Sequence, residues 1–326
     1  MDDPRVAVHS LTRRNLGTDK IVFGKPVKAL PAPVSRGMRP EEGFRATLSD
    51  CLAQINANAA SLRVSRSVEG LHQLRVAFRR LDVALGAFGR EFKQGWLEEL
   101  RSRAKILSGR LAPARDLDVF VEKLLAEPPD TQAEGFGQLR ARAQAARDQA
   151  WTAAIACIAS PDFELFADDV AALASSHLPL THRRLPRTAA RMLDRQVRRV
   201  KKRGRTARSR DEGDLHRLRI ALKKLRYTAE FFAPLYPKKD VKKYLEELRG
   251  LQNHLGDLND IANVRAVVHD ILRPDDDRKG GKARNESQMS FAAGSVVGWF
   301  GAKTPGAIKQ SLKRYRKFRR LTPFWQ

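Results

Sequence analysis

One segment occurs twice in this chain, and the constant distance between its copies limits what the chain can fold into. The copies are LHQLRVAFRRL at 71–81 and LHRLRIALKKL at 215–225. At the helical angle per residue each is an amphipathic helix. Leu74, Ala77, Phe78, Leu81 and Leu85 share one face of the first, with His72, Arg75 and Arg79 opposite. The second sets Leu218, Ala221, Leu222 and Leu225 against His216, Arg219, Lys223 and Arg226. A cationic stripe without a carboxylate is suited to meeting an anion. An offset of 144 residues also maps Phe88 onto Phe232, Lys105 onto Arg249, Leu107 onto Leu251, Leu111 onto Leu255 and Asp116 onto Asp260, without a gap. A repeat of that length is a duplicated subdomain, not a solenoid unit. Two like halves packed about a pseudo-two-fold axis would turn the two stripes towards one shared cleft.

The periodicity elsewhere is helical, and no stretch has the alternation and turn spacing of a sheet. The chain therefore reads as all-α. Residues 1–40 are broken by Gly24, Pro26, Pro31, Pro33, Gly37 and Pro40 and are expected to be a flexible basic extension. Helices are expected from 41, over 68–88, 95–111, 115–126 and 133–159, with a short one at 165–173. A linker at 175–186 divides a first repeat (about 41–174) from a second (about 183–326). The second half offers helices at 187–203, from 211–214 to 232, at 239–255, 257–271, 286–300 and 305–320. Gly256 stands where the first half has Ala112, so the helices are expected to end differently there.

Charge narrows the partners. The chain carries 62 Lys and Arg against 37 Asp and Glu, a net charge of +25. Between Arg183 and Lys243 alone there are 22 basic and 6 acidic residues. Arg187, Arg191, Arg195 and Arg198 form one stripe, and Lys309, Lys313, Arg316, Lys317 and Arg320 give the last helix a basic face. Such a balance points to polyanions: polyphosphate, nucleic acid or an anionic surface. Two cysteines, Cys51 and Cys157, make neither a disulfide framework nor a zinc knuckle. The start at Met1-Asp2-Asp3-Pro4 lacks the basic and apolar regions of a secretory signal, and no apolar run has the length of a membrane span. A cytoplasmic protein without membrane insertion is the expectation.

HQLRVAFRRL at 72–81, RDLDV at 115–119, HRLRIALKKLRY at 216–227, LQNHLGDLND at 251–260 and the tail ending Phe324-Trp325 resemble the CHAD family, the conserved histidine α-helical domain. The resemblance spans about 41–326 and departs at Asp82, which stands where the second copy has Arg226. It implies two pseudo-symmetric helical bundles with a basic central cleft that binds inorganic polyphosphate. The residues expected to bind are His72, Arg75, Arg79, Arg80, Lys105, Arg115, Arg187, Arg191, Arg195, His216, Arg219, Lys223, Lys224, Arg226 and Arg249. Such a module would also suit recruitment to polyphosphate granules.

Catalytic chemistry finds little support in the residues. No glycine-rich phosphate loop, nucleophile elbow or Glu-x-Glu-x-Lys motif is present. His254, His269-Asp270 and Asp275–Asp277 give only a faint hint of a metal phosphohydrolase, and neither a metal nor another cofactor is expected. Asp116 and Asp260 fit helix N-caps better than a paired carboxylate site. RNA or DNA is the alternative ligand. It calls for aromatic platforms beside the cations, and only Tyr227 adjoins a stripe.

Overall fold

In the computed structural model, residues 25–92, 95–128, 135–178, 181, 183–273 and 283–326 are described. Ten α-helices are present among them: α1 (Pro40–Val64), α2 (Val68–Phe92), α3 (Trp96–Arg110), α4 (Ala112–Glu122), α5 (Phe136–Ile158), α6 (Pro161–Ser175), α7 (Leu185–Thr206), α8 (Glu212–Phe232), α9 (Lys238–Leu272) and α10 (Ala283–Phe318). No strand occurs among the described residues. No helix is long and apolar enough to cross a membrane.

The 144-residue offset carries over to the elements. Shifted by it, α1 falls on α7, α2 on α8, α3 and α4 on successive parts of α9, and α5 and α6 on successive parts of α10. The expected breaks at 256 and 300–305 are thus absent in the second half, and one local difference accounts for the first. Pro113 opens α4 in the first half, because its missing N–H suits a helix's first turn, whereas Asp257 replaces it in the second. Gly256 accordingly sits inside a continuous helix and ends nothing. Pro161 likewise opens α6, with the Ser160 side chain accepting from the Phe163 amide. Its counterpart Pro305 is carried within α10, where flanking turns pack against neighbouring helices strongly enough to tolerate the lost bond.

The apolar face read from each repeat helix is buried: Leu74, Phe78 and Leu81 of α2, and Leu218, Leu222 and Leu225 of α8, are all at most 1% exposed. Full burial contributes about 1.5–3 kcal/mol for each such side chain. The core is not divided along the repeat boundary, however. One large cluster joins α1, α2, α3, α6, α7 and α8 with Ala114 of α4, the end of α5, the first part of α9 and the last part of α10. A second joins α4, the start of α5, the end of α9 and the start of α10. Helices α5, α9 and α10 each run from one core into the other, so the expected two bundles interpenetrate. Gly135, in the left-handed region at φ +98°, starts α5 where an added Cβ would stand 2.3 Å from the Gln288 carbonyl oxygen on α10.

The expected flexible extension differs in its last part. Residues 25–39 have no regular structure, but Val27 exchanges hydrogen bonds with the Asn58 side chain (3.0 and 2.9 Å). Ala32 and Val34 are buried, and the Leu185 amide donates to the Met38 carbonyl. These contacts tether the segment to α1 and α7. Residues 1–24 lie outside the described residues.

Candidate functional site

The two repeat helices pack side by side, and their cationic stripes open into one cleft of about 750 Å³. His72, Arg75 and Arg79 of α2 and His216, Arg219, Lys223, Lys224 and Arg226 of α8 line it. Arg115 and Asp116 of α4 close one side. Gln252, Asn253, Asn259, Asp260 and Asn263 of α9 close the other. The stripes meet directly where Arg79 Nε donates to the Tyr227 hydroxyl at 3.4 Å. His216 Nδ1 lies 3.2 Å from Asn259 Oδ1, fixing that imidazole against α9.

The cations are crowded and partly stripped of water. Burial, then the guanidinium groups of Arg115 and Arg79, brings His72 down to about 4, against a smaller opposing effect of Glu69. Burial, then Arg219, Arg79, Arg226 and Arg75, brings Lys223 down to about 6. Arg75 falls to about 10, chiefly through burial. Lys224 and Arg219 are lowered for the same first reason, opposed by Asp82 and Asp260 respectively. Several buried donors in the cleft make no hydrogen bond within the protein: Nε and Nη1 of Arg75, Nε of Arg219 and Nε of Arg226. Leaving a buried donor unmatched costs about 1–3 kcal/mol, so the cleft is arranged to gain from an acceptor supplied from outside.

Four carboxylates also line this space: Asp82, paired with Arg101 at 2.7 Å, Asp257, 3.5 Å from Lys123, and Asp116 and Asp260, which face the cleft cations. Asp116 and Asp260 are not the caps expected of them, because α4 begins at Ala112 and α9 runs unbroken through 260. Burial raises both carboxyls, opposed at Asp116 mainly by Arg75 and Arg115, and at Asp260 mainly by Lys123 and Arg219. With Asn259, Asn263, Gln252 and Asn253 they form a polar wall that the sequence reading missed. The signal was present in the spacing of 252, 256, 259 and 263, which follows one helix face.

Several expected site residues stand elsewhere. Arg80 is 2% exposed and donates to Asp50 Oδ2 (2.6 Å) and Gln54 Oε1 (2.7 Å), with its guanidinium 5.5 Å from the Phe231 ring centre. It is a core ion pair. Its counterpart Lys224 reaches the cleft instead, because Asp194, equivalent to Asp50, accepts from Trp325 Nε1 and Gln54 is replaced by Arg198. Arg191 and Arg195 both donate to Glu91 at 2.9 Å, tying α7 to the end of α2 away from the cleft. Arg187 is exposed on α7 and outside the lining. Lys105 is exposed with Glu98 at 3.8 Å, and Arg249 is exposed with Glu230 at 3.5 Å; neither lines the cleft. These positions share the stripes' spacing or offset, but helix packing turns them towards carboxylates or solvent.

The metal hint gathers no support. His254 Nδ1 faces the Gly250 carbonyl at 2.9 Å, and His269 and Asp270 are both 68% exposed. Asp275–Asp277 lie outside the described residues. Among the described residues no three His, Cys, Asp or Glu side chains group as metal ligands would.

The architecture has known relatives. A structure of the CHAD domain from the plant Ricinus communis superposes with a TM-score of 0.80 at 24% identity, over 92% of this chain and 98% of that one. PptA from Streptomyces chartreusis superposes with a TM-score of 0.64 at 19% identity, over 86% of this chain and all of that one. At these identities the likeness establishes the fold alone. Among curated proteins none matches the chain. The family model described as the CHAD domain matches residues 46–269, well over half the chain. The chain therefore belongs to the CHAD domain family.

Proposed function

We propose that the chain binds inorganic polyphosphate in the cleft between α2 and α8, and acts by binding alone. The observation that carries this reading is the convergence of two duplicated cationic stripes, His72/Arg75/Arg79 and His216/Arg219/Lys223, whose buried donors lack internal acceptors. Helical rise separates His72 from Arg79 by about 10 Å, so each stripe follows several phosphates of a linear chain. Arginine forks pair with non-bridging oxygens, while Lys223 supplies a charge whose protonation the polymer itself favours. The lining supports an acceptor-rich ligand without bases. Its one aromatic, Tyr227, is 2% exposed and held between Arg79 and Arg226, so it offers no stacking platform to RNA or DNA. A binding role also accords with recruitment to polyphosphate granules. No catalytic step is assigned, because Asp116 and Asp260 face guanidinium groups instead of a nucleophile or a metal-ligand set.

The test compares two double charge reversals by calorimetry. R75E/R219E alters the cleft. K238E/K239E alters two exposed lysines that begin α9 outside it. The first should weaken binding of long polyphosphate far more than the second, and neutralising each cleft cation should lower the salt slope by about one. RNA of equal charge, competing at the same salt, should displace the polymer poorly. Equal losses in the two variants, or preferential displacement by RNA, would refute the assignment. Incubation with divalent cations should leave the chain length unchanged.

A further inference from the structure

The basic face of the last helix is not used by the cleft, and the structure gives part of it a partner. Thr206 ends α7, Phe318 ends α10, and the two ends lie together around a recess of about 320 Å³. Its lining holds five arginines, Arg208, Arg210, Arg316, Arg319 and Arg320, and no carboxylate. All five are exposed, and among the described residues none of their guanidinium groups makes an ion pair or hydrogen bond. Three nearby acids pair elsewhere, Asp211 and Asp214 with Arg217 and Glu247 with Lys317.

Helix C-termini attract cations, and that is the ordinary explanation for arginines here. Its magnitude falls short. Each terminus is equivalent to about half a negative charge, so two offset roughly one of the five positive charges. The recess is also built with some care. Gly204 lets the Tyr315 ring lie against α7, since a Cβ there would stand 1.9 Å from the hydroxyl oxygen. That hydroxyl donates to the Val200 carbonyl at 3.4 Å, which anchors the floor. Arg210 holds a left-handed backbone at φ 63°, where glycine or asparagine is the cheaper residue, so the turn carries a guanidinium at some conformational cost.

We infer that this arginine recess, where the ends of α7 and α10 meet, is a second anion site that takes a short run of phosphate groups. Its ligand class follows from the chemistry. Five planar donor forks match tetrahedral oxyanions, and the buried Tyr315 ring leaves no aromatic surface for a base. The site shares no lining residue with the cleft and does not depend on the cleft's assignment.

Inorganic tripolyphosphate is the probe, titrated into the full chain by calorimetry at fixed low salt. R75Q/R219Q, which alters only the cleft, should retain a tripolyphosphate site. Adding R208Q/R319Q should weaken that remaining site roughly a hundredfold, from the loss of two charge-assisted contacts. In the unaltered protein, tripolyphosphate should slow hydrogen exchange in 200–210 and 312–320 as well as around the cleft. Long polyphosphate and tripolyphosphate giving the same protection there would identify the phosphate run itself as the ligand. Loss of all tripolyphosphate binding in R75Q/R219Q, with no protection of the recess in the unaltered protein, would overturn the inference. Protection of the recess by RNA but not by tripolyphosphate would overturn its ligand class.

Discussion

Lys223 gives the sharpest test of how the cleft works. It faces Arg219 and Arg226 on its own helix, Arg75 and Arg79 on α2, and Asp260 on α9. Burial and the four guanidinium groups bring it to about 6, so roughly one tenth of it is charged in the free protein at pH 7. A bound polyanion replaces repulsion with attraction and raises that value. Binding near pH 7.5 should then take up close to one proton, visible as a dependence of the calorimetric heat on the buffer's ionisation enthalpy. The bound state holds more protons, so affinity should fall with rising pH, by up to about tenfold per unit between pH 6 and the raised value in the complex. His72, at about 4 in the free protein, adds to the uptake towards the acid end. K223R should abolish most of the pH dependence and bind more tightly at pH 8. K223M should lose the uptake while remaining folded.

The same residue links binding to stability with the opposite sign. In the unfolded chain Lys223 titrates near its ordinary value, 10.5, and in the folded chain at about 6. Between these values the unfolded state binds more protons, so the stability of the free protein should rise with pH across that window. K223M removes this dependence and should raise Tm at pH 7 while weakening binding at pH 6. The account is refuted if proton uptake is zero in two buffers of different ionisation enthalpy, or if K223M keeps the wild-type pH profile.

Other consequences follow from particular contacts. D116N/D260N removes two carboxylates from the cleft wall and should tighten polyphosphate binding by roughly two- to fivefold per carboxylate, measured by calorimetry at low salt. R80A leaves Asp50 without its buried partner, and chemical denaturation should show a loss of about 3–5 kcal/mol with little change in the affinity of the folded protein. Asp118, fully buried on α4, accepts from Trp151 Nε1 (2.9 Å) and Arg147 Nε (2.7 Å). D118A should cost about 1–3 kcal/mol in the same assay, because the indole N–H is then buried without an acceptor.

The sequence by itself determined the class of fold and the duplicated stripes. An apolar face every three to four residues specifies helix through local geometry, and the fixed offset between copies is visible without knowing any contact. Leu74, Phe78, Leu218 and Leu222 are buried for that reason, and His72, Arg75, Arg79, Arg219 and Lys223 share one cleft. Tertiary structure decided which other cations join them. Arg80 and Lys224 are equivalent in the repeat, yet Asp50 and Gln54 draw one into the core while Trp325 and Arg198 leave the other free to line the cleft. Arg191 and Arg195 read as an open stripe until the end of α2 brings Glu91 between them. Asp116 and Asp260 look like caps when α4 and α9 are taken to start beside them, and become cleft walls because the helices begin earlier. Helical periodicity is a property of neighbouring residues and survives in the bare sequence. Charge pairing and desolvation depend on which helix faces which, and that is settled only when the chain is packed.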